Sequence, residues 1–336
     1  MPMTRFTSRG VCAVVAMTVA MLTGGLAACS SGAASNQNSA APAAVRSIDI
    51  SDNTGTHTIA TPPQSVVALD NRSFETLSQW GVELKAAAVS LMPTTIPYTT
   101  DKSIVDIGTH REPNLEAIVA AKPDLIINGQ RFTQFTDEIK KLVPDAQMID
   151  LEPRDDQPFD QELKRQTTTL GEIFGKQAEA TKLNDDLDSA IARVKKAYKP
   201  TDTVMAVNTS GGKIGFIAPH VGRALGPVYD FAALTPALNV QGSTSNHQGD
   251  DISVEAIADS NPTWILVMDR DAAISADDPA YKPASEVLKN SQALSAVTAI
   301  KQGNVVTMPA DTYTNESIQT YTEFLNDFAA ALESKA

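Results

Sequence analysis

Apolar residues in this chain fall into short unbroken runs separated by amphipathic stretches, and one such arrangement occurs twice. Residues 114–127 run from Asn114-Leu115-Glu116-Ala117-Ile118 to Lys122-Pro123-Asp124-Leu125-Ile126-Ile127. Residues 253–266 run from Ser253-Val254-Glu255-Ala256-Ile257 to Asn261-Pro262-Thr263-Trp264-Ile265-Leu266. Glu116, Ala117, Ile118, Pro123, Ile126 and Arg131 recur as Glu255, Ala256, Ile257, Pro262, Ile265 and Arg270, always 139 positions later. An earlier run, Val66-Val67-Ala68-Leu69, matches Val204-Met205-Ala206-Val207 at an offset of 138. Internal repetition on this scale predicts two copies of one structural unit.

Each copy has a physical reading. Asn114 or Ser253 caps a short helix, because a short polar side chain there accepts from an otherwise unpaired backbone N–H. Pro123 or Pro262 helps end that helix. The apolar runs 125–128 and 265–268 then suit strands of a parallel sheet buried on both faces. An arginine follows each strand on a loop. Ligands of open α/β sheets sit beyond the carboxyl ends of the strands, so two facing units would put Arg131 and Arg270 on opposite walls of one cleft. Taken singly, each could equally be a solvated surface charge.

Between the copies the period changes to that of helices. Phe159, Leu163, Leu170 and Phe174 mark one helix, which Gly175 breaks. Leu183, Leu187, Ile191, Val194 and Tyr198 then line one face of a second. From Gln177 to Ala197 it would span roughly 30 Å, long enough to run along two lobes, and Pro200 closes it. The expected fold is therefore α/β, with two similar lobes, each a mainly parallel sheet flanked by helices, joined by one long helix. The boundaries are 47–176 for the N-terminal lobe, 177–198 for the connecting helix and 199–336 for the C-terminal lobe.

The first residues have a different character. Arg5 and Arg9 precede an apolar run from Val11 to Leu22, too short for a comfortable membrane span. Leu26-Ala27-Ala28-Cys29 follows and resembles the lipobox of bacterial lipoproteins, which implies a signal peptide over 1–28 and a lipid on Cys29; an ordinary signal peptide with an incidental cysteine is the competing reading. The segment 29–46 is a lipid-anchored linker: after Cys29, residues 30–46 are mostly Ser, Ala, Gly, Asn, Gln and Pro with almost no large apolar side chain, the composition of a flexible tether. The other cysteine, Cys12, lies within the leader, so the mature chain would hold no internal disulfide and no cysteine-based metal site.

The chain's formal charge is −13. Cleavage removes two of the 27 bases and none of the 40 acids, leaving 25 against 40, or −15. That balance argues against nucleic-acid binding, which needs basic surface. No Gly-x-Ser-x-Gly, Walker-type loop or His-Glu-x-x-His occurs, which argues against an extracytoplasmic enzyme. His57, His110, His220 and His247 are scattered, which argues against a bare zinc or manganese carrier.

A lipoprotein with two repeated α/β lobes and a helical spine resembles the helical-backbone class of ABC-transporter substrate-binding proteins, carriers of ferric siderophores, haem or cobalamin. The likeness runs from about Val66 to the C-terminus. Ile107-Gly108, Glu112 to Ile118 and Lys122 to Ile127 are close to that class's first-lobe signature. Asn128-Gly129-Gln130-Arg131, Val267-Met268-Asp269-Arg270 and the stretch from Gly215 through Pro219 to Arg223 resemble segments of its catecholate-siderophore binders. The resemblance implies that Arg131, Arg223 and Arg270 contact an anionic ferric complex. It implies that His247, in Ser245-Asn246-His247-Gln248-Gly249, and Tyr313 complete the coordination of a siderophore's iron. It also implies that Glu116 and Glu255 dock on the permease subunits, although acids in a helix's first turn are favourable in their own right. Ala224-Leu225-Gly226 carries one residue more than such relatives, which leaves the placement of Arg223 open. Asp250 and Asp251, close to His247, either oppose an anion or cap the following helix.

The expected protein is a monomeric, membrane-anchored carrier on the extracytoplasmic face. Ferric iron arrives as its ligand's metal and there is no intrinsic cofactor. Haem, ferric citrate or a hydroxamate complex are alternatives within the class; three arginines are excessive for neutral cobalamin.

Overall fold

The computed structural model describes residues 46–335; the leader, Cys29 and most of the tether lie outside the described residues. The described residues form one compact unit. Within it two sheets stand at the centres of two lobes. The first has five parallel strands in the order Val105–Asp106, Leu84–Ala87, Val66–Ala68, Leu125–Asn128, Gln147–Asp150. The second has the order Lys213–Ile217, Val204–Ser210, Trp264–Asp269, Val305–Thr307, parallel except for its first strand. That antiparallel edge is closed by Gly211 and Gly212, both with positive φ, as a two-residue hairpin requires. Arg46, the last residue assigned to the tether, already begins a strand that pairs with Thr56–Thr61 over the first lobe.

The apolar runs become strands because both sheet faces are covered. Val67, Ala68, Leu125, Ile126 and Ile127 are all buried, as are Val204 to Val207 and Trp264 to Met268. The second repeat strand is longer than its apolar run suggested, spanning Trp264–Asp269. The repeat extends into the caps. The Asn114 side chain accepts from Ala117 N–H and Ser253 from Ala256 N–H, both at 3.1 Å. Lys122 and Asn261 end their helices in the left-handed conformation, with φ of 45° and 43°, each directly before its proline. Ser253, not Asp250 or Asp251, therefore caps the second helix. Asp250 instead accepts from the Thr244 N–H and hydroxyl and ties its own loop together.

Helices Phe159–Phe174 and Gln177–Ala197 lie where the periodicity put them. The second enters both cores: Ala180 packs in the first lobe, and Leu187, Ala190, Ile191 and Val194 in the second. The C-terminal helix Ile318–Glu333 lies against the second-lobe core through Tyr321, Phe324, Leu325 and Phe328. Arg193 and Glu333 close a two-pronged ion pair between these two helices. Among the described residues no helix is long and apolar enough to cross a membrane.

Candidate functional site

The carboxyl ends of both sheets face one region, and the arginines meet there. Arg131 leaves Leu125–Asn128 through Gly129 and sits in a short 3-10 turn, Gln130–Phe135; Arg270 opens a short helix capped by Asp269. Both are thus held by helical turns rather than by loops. Gly129 is needed for space: a Cβ there would lie 2.7 Å from the Asp70 carboxyl carbon. Ala224, next to Arg223, is a buried alanine with φ of 61°, and Arg223 reaches the site.

Tyr313 is the meeting point. The guanidinium carbons of Arg223, Arg270 and Arg131 lie 4.5, 4.8 and 5.6 Å from its ring centre, and the His247 ring is 6.5 Å away. Arg131 and Arg223 also donate to the Tyr313 carbonyl, at 3.4 and 3.1 Å. The structure thus brings together the five residues of the expected ligand site. Burial raises the Tyr313 phenol, but a hydrogen bond from Arg270 and the charges of Arg223, Arg270 and Arg131 outweigh it and hold the group below the ordinary tyrosine value. Burial and the charges of Arg270, Arg223 and Arg131 likewise hold the His247 imidazolium below the usual histidine range. Both shifts favour the forms competent to bind a ferric ion, phenolate oxygen and neutral imidazole.

Behind this group lies an ionic network that the sequence reading missed. Arg72 donates to Glu152 at 2.7 Å and to Glu316 at 3.0 Å. Arg223 donates to the same Glu316 at 2.6 Å. Glu316 is buried, its backbone in the left-handed region with φ of 55°. Burial opposes its charge, yet Arg223, Arg72 and Arg131 hold its carboxyl below the usual range. Arg72, Arg131, Arg223, Glu152 and Glu316 line a cavity of about 1180 Å³ between the lobes; Arg270, His247 and Tyr313 do not line its wall. Among the described residues no group of three or more His, Cys, Asp or Glu is placed to hold a metal ion.

Asp70 completes the network. Its carboxylate accepts from Gln166 at 2.6 Å and from the Arg72 N–H at 3.1 Å. Burial and the neighbouring Glu152 charge push it up to about 7. An unfolded chain releases this proton near the ordinary value of about 3.9. The folded state therefore holds a proton that the unfolded state has lost from about pH 4 to 7, so the group's stabilisation is complete below that window and fades as pH rises through it. Relative to Asp70→Asn, the protein should lose thermal stability between pH 4 and 8. Parallel melting-temperature profiles for the two proteins would show that Asp70 stays ionised in the fold.

Glu116 and Glu255, far apart in sequence, occupy equivalent exposed positions in the first turns of the two capped helices, one per lobe.

The fold and site define a two-lobed binding protein. The sequence profile of the family described as periplasmic binding protein matches residues 66–312, and the chain belongs to that family. Among its relatives is the petrobactin-binding protein YclQ of Bacillus subtilis, 26% identical over 277 residues that cover 81% of this chain and 83% of the relative. Another is the ferric-anguibactin-binding protein FatB of Vibrio anguillarum, 28% identical over 295 residues, covering 85% and 88%. The crystal structure of the periplasmic catecholate-siderophore binding protein VctP from Vibrio cholerae superposes with a TM-score of 0.73 at 22% identity, over 85% of this chain and all of that one.

Proposed function

We propose that this protein is the extracytoplasmic substrate-binding component of an ABC importer, and that it captures an anionic ferric siderophore in the cleft between its lobes. The observation that carries this reading is the convergence of three guanidinium groups from two lobes around one tyrosine, beside a cavity of about 1180 Å³. Such groups stay protonated, donate in a fixed fork and stack on aromatic rings, which suits a catecholate complex. The cavity exceeds the ~300–1,000 Å³ usual for small ligands, as a ferric siderophore needs. Relatives named for petrobactin and ferric anguibactin point the same way.

In this reading His247 and Tyr313 supply the two iron ligands that a tetradentate siderophore lacks. Ferric bis- and tris-catecholates, ferric citrate, ferric hydroxamates and haem should be titrated against the full-length chain in detergent micelles, with quenching of intrinsic fluorescence as the signal. Ferric catecholates should bind at micromolar concentration or below, without turnover. His247→Ala and Tyr313→Phe should weaken tetradentate ligands about tenfold more than hexadentate ones. Equal losses for both ligand types would remove direct iron coordination from the proposal.

Glu116 and Glu255 would dock the loaded carrier onto the two permease subunits, one per lobe. The lipid on Cys29 would hold it beside them as a monomer on the outer face of the membrane. Labelled palmitate should be incorporated by the natural chain and lost in Cys29→Ser; labelling that survives the substitution would place the anchor elsewhere.

A further inference from the structure

The arginines of the cleft are not free positive charges. Arg72 and Arg223 share Glu316, and Arg72 also holds Glu152. Arg270 donates to Asp271 at 3.3 Å and to the Ser210 hydroxyl at 3.1 Å. Arg131 differs in that all its hydrogen-bond partners are neutral, the side chains of Asn71 and Gln130 and the Tyr313 carbonyl. Four guanidinium groups therefore face three paired carboxylates, which leaves one surplus positive charge. Asp155, Asp160 and Asp230 stand on the cavity wall against one more arginine, Arg154, which is itself paired with Glu162. A trianionic complex entering here would find little net attraction and several carboxylates at short range, where the low dielectric of a protein magnifies repulsion.

Glu316 occupies its place at a cost. A non-glycine residue with left-handed backbone is disfavoured, and a buried carboxylate is stable only when paired. It bridges an arginine of each lobe, so one could read it as an interlobe fastening alone. Asp271 has no such role: its partners Arg270, Ser210 and Gly211 all belong to the second lobe. Yet it neutralises a third arginine of the same group.

We propose that Glu316 and Asp271 set the electrostatic selectivity of the cleft, neutralising its arginines from within so that it takes monoanionic ferric complexes in preference to trianionic tris-catecholates. This rests on the reading of the cleft as a ferric-siderophore site and narrows it to a ligand class: mixed-donor complexes whose chelator carries fewer charges than three catecholates.

The test uses a series of hexadentate ferric chelates in which catecholates are replaced one at a time by hydroxamates, so that net charge steps from trianionic to neutral. Hexadentate ligands leave no iron position for Tyr313 or His247, so coordination does not vary across the series. Each chelate is titrated against the full-length chain, Glu316→Gln and Asp271→Asn. The natural protein should bind the monoanionic member about tenfold or more tighter than the trianionic one. Each substitution adds one positive charge and should shrink that ratio by about fivefold or more. Because the same ligands meet proteins differing in one charge, differences in ligand shape cancel. Should Glu316→Gln fail to fold, Asp271→Asn makes the same change on another element. A ratio unchanged in Asp271→Asn, or a natural protein that prefers the trianionic member, overturns the proposal and leaves the siderophore reading standing. Failure of every member to bind the natural protein overturns both.

Discussion

The double replacement Arg131→Ala/Arg270→Ala should lower the affinity for a ferric catecholate by about 100-fold or more, while the fold is retained. A hydrogen bond to a charged group contributes about 1.5–3 kcal/mol, and a desolvated guanidinium over a ring adds about 0.5–2 kcal/mol, so two such residues reach that range together. These two are the informative pair because of what they leave behind. Arg131 is held by Asn71, Gln130 and a backbone carbonyl, none of them charged. Arg270 has a buried Nε with no partner in the protein, and its one carboxylate partner, Asp271, keeps the Gly211 N–H and the Ser210 hydroxyl as donors when the guanidinium is removed. Truncating Arg223 would instead strip Glu316 of one of its two counter-ions and mix a stability loss with the binding loss. Titration by fluorescence quenching, with circular dichroism to establish the fold, reads the effect. A loss of less than about threefold in the double variant would mean that the ligand sits elsewhere.

Arg72→Met should produce the largest stability loss of any single change in the site. The substitution removes the guanidinium between Glu152, Glu316 and Asp70 and leaves Glu316, with a side chain only 3% exposed, with Arg223 as its one remaining ion-pair partner. Breaking a buried ion pair by removing one partner costs about 3–5 kcal/mol. At about 2–4 °C per kcal/mol for a domain of 150–250 residues, the melting temperature should fall by roughly 10 °C. Glu316→Gln introduced into Arg72→Met should recover a large part of the loss, because it removes the stranded charge. If the single variant melts with the natural protein, or if the second substitution only adds to the damage, the network is not what holds this part of the cleft.

The repeat was legible because it is written in apolar residues whose spacing has one structural meaning. The caps Asn114 and Ser253, the prolines that follow and the strands behind them can all be placed from that spacing. So can the two arginines beyond the strand ends and both central helices. Arg72 escaped that logic although it too follows a first-lobe strand, Val66–Ala68. Its counterpart at the offset of 138 is Ser210, so no matching arginine drew attention to it. Glu316 was hidden for another reason. Thr314-Asn315-Glu316-Ser317 reads as the polar approach to a helix, and Ser317 does cap one, accepting from Thr320 N–H at 3.1 Å. Nothing in such a run tells a solvated glutamate from one turned inward by a single left-handed residue. The chemistry resting on isolated contacts between distant segments appeared only when the chain was folded.

The helix Gln177–Ala197 is anchored at Ala180 in one core and from Leu187 to Val194 in the other. A strut embedded at both ends resists bending, because tilting one lobe would pull packed side chains out of a close-packed interior. The two jaws are therefore manufactured at a set gape, and a ligand is gauged against them much as a shaft is gauged in a caliper already locked. Size discrimination then falls on the ligand's own rigidity. Whatever tells a transporter that the carrier is loaded must be read from small displacements of the jaw tips rather than from a wide swing.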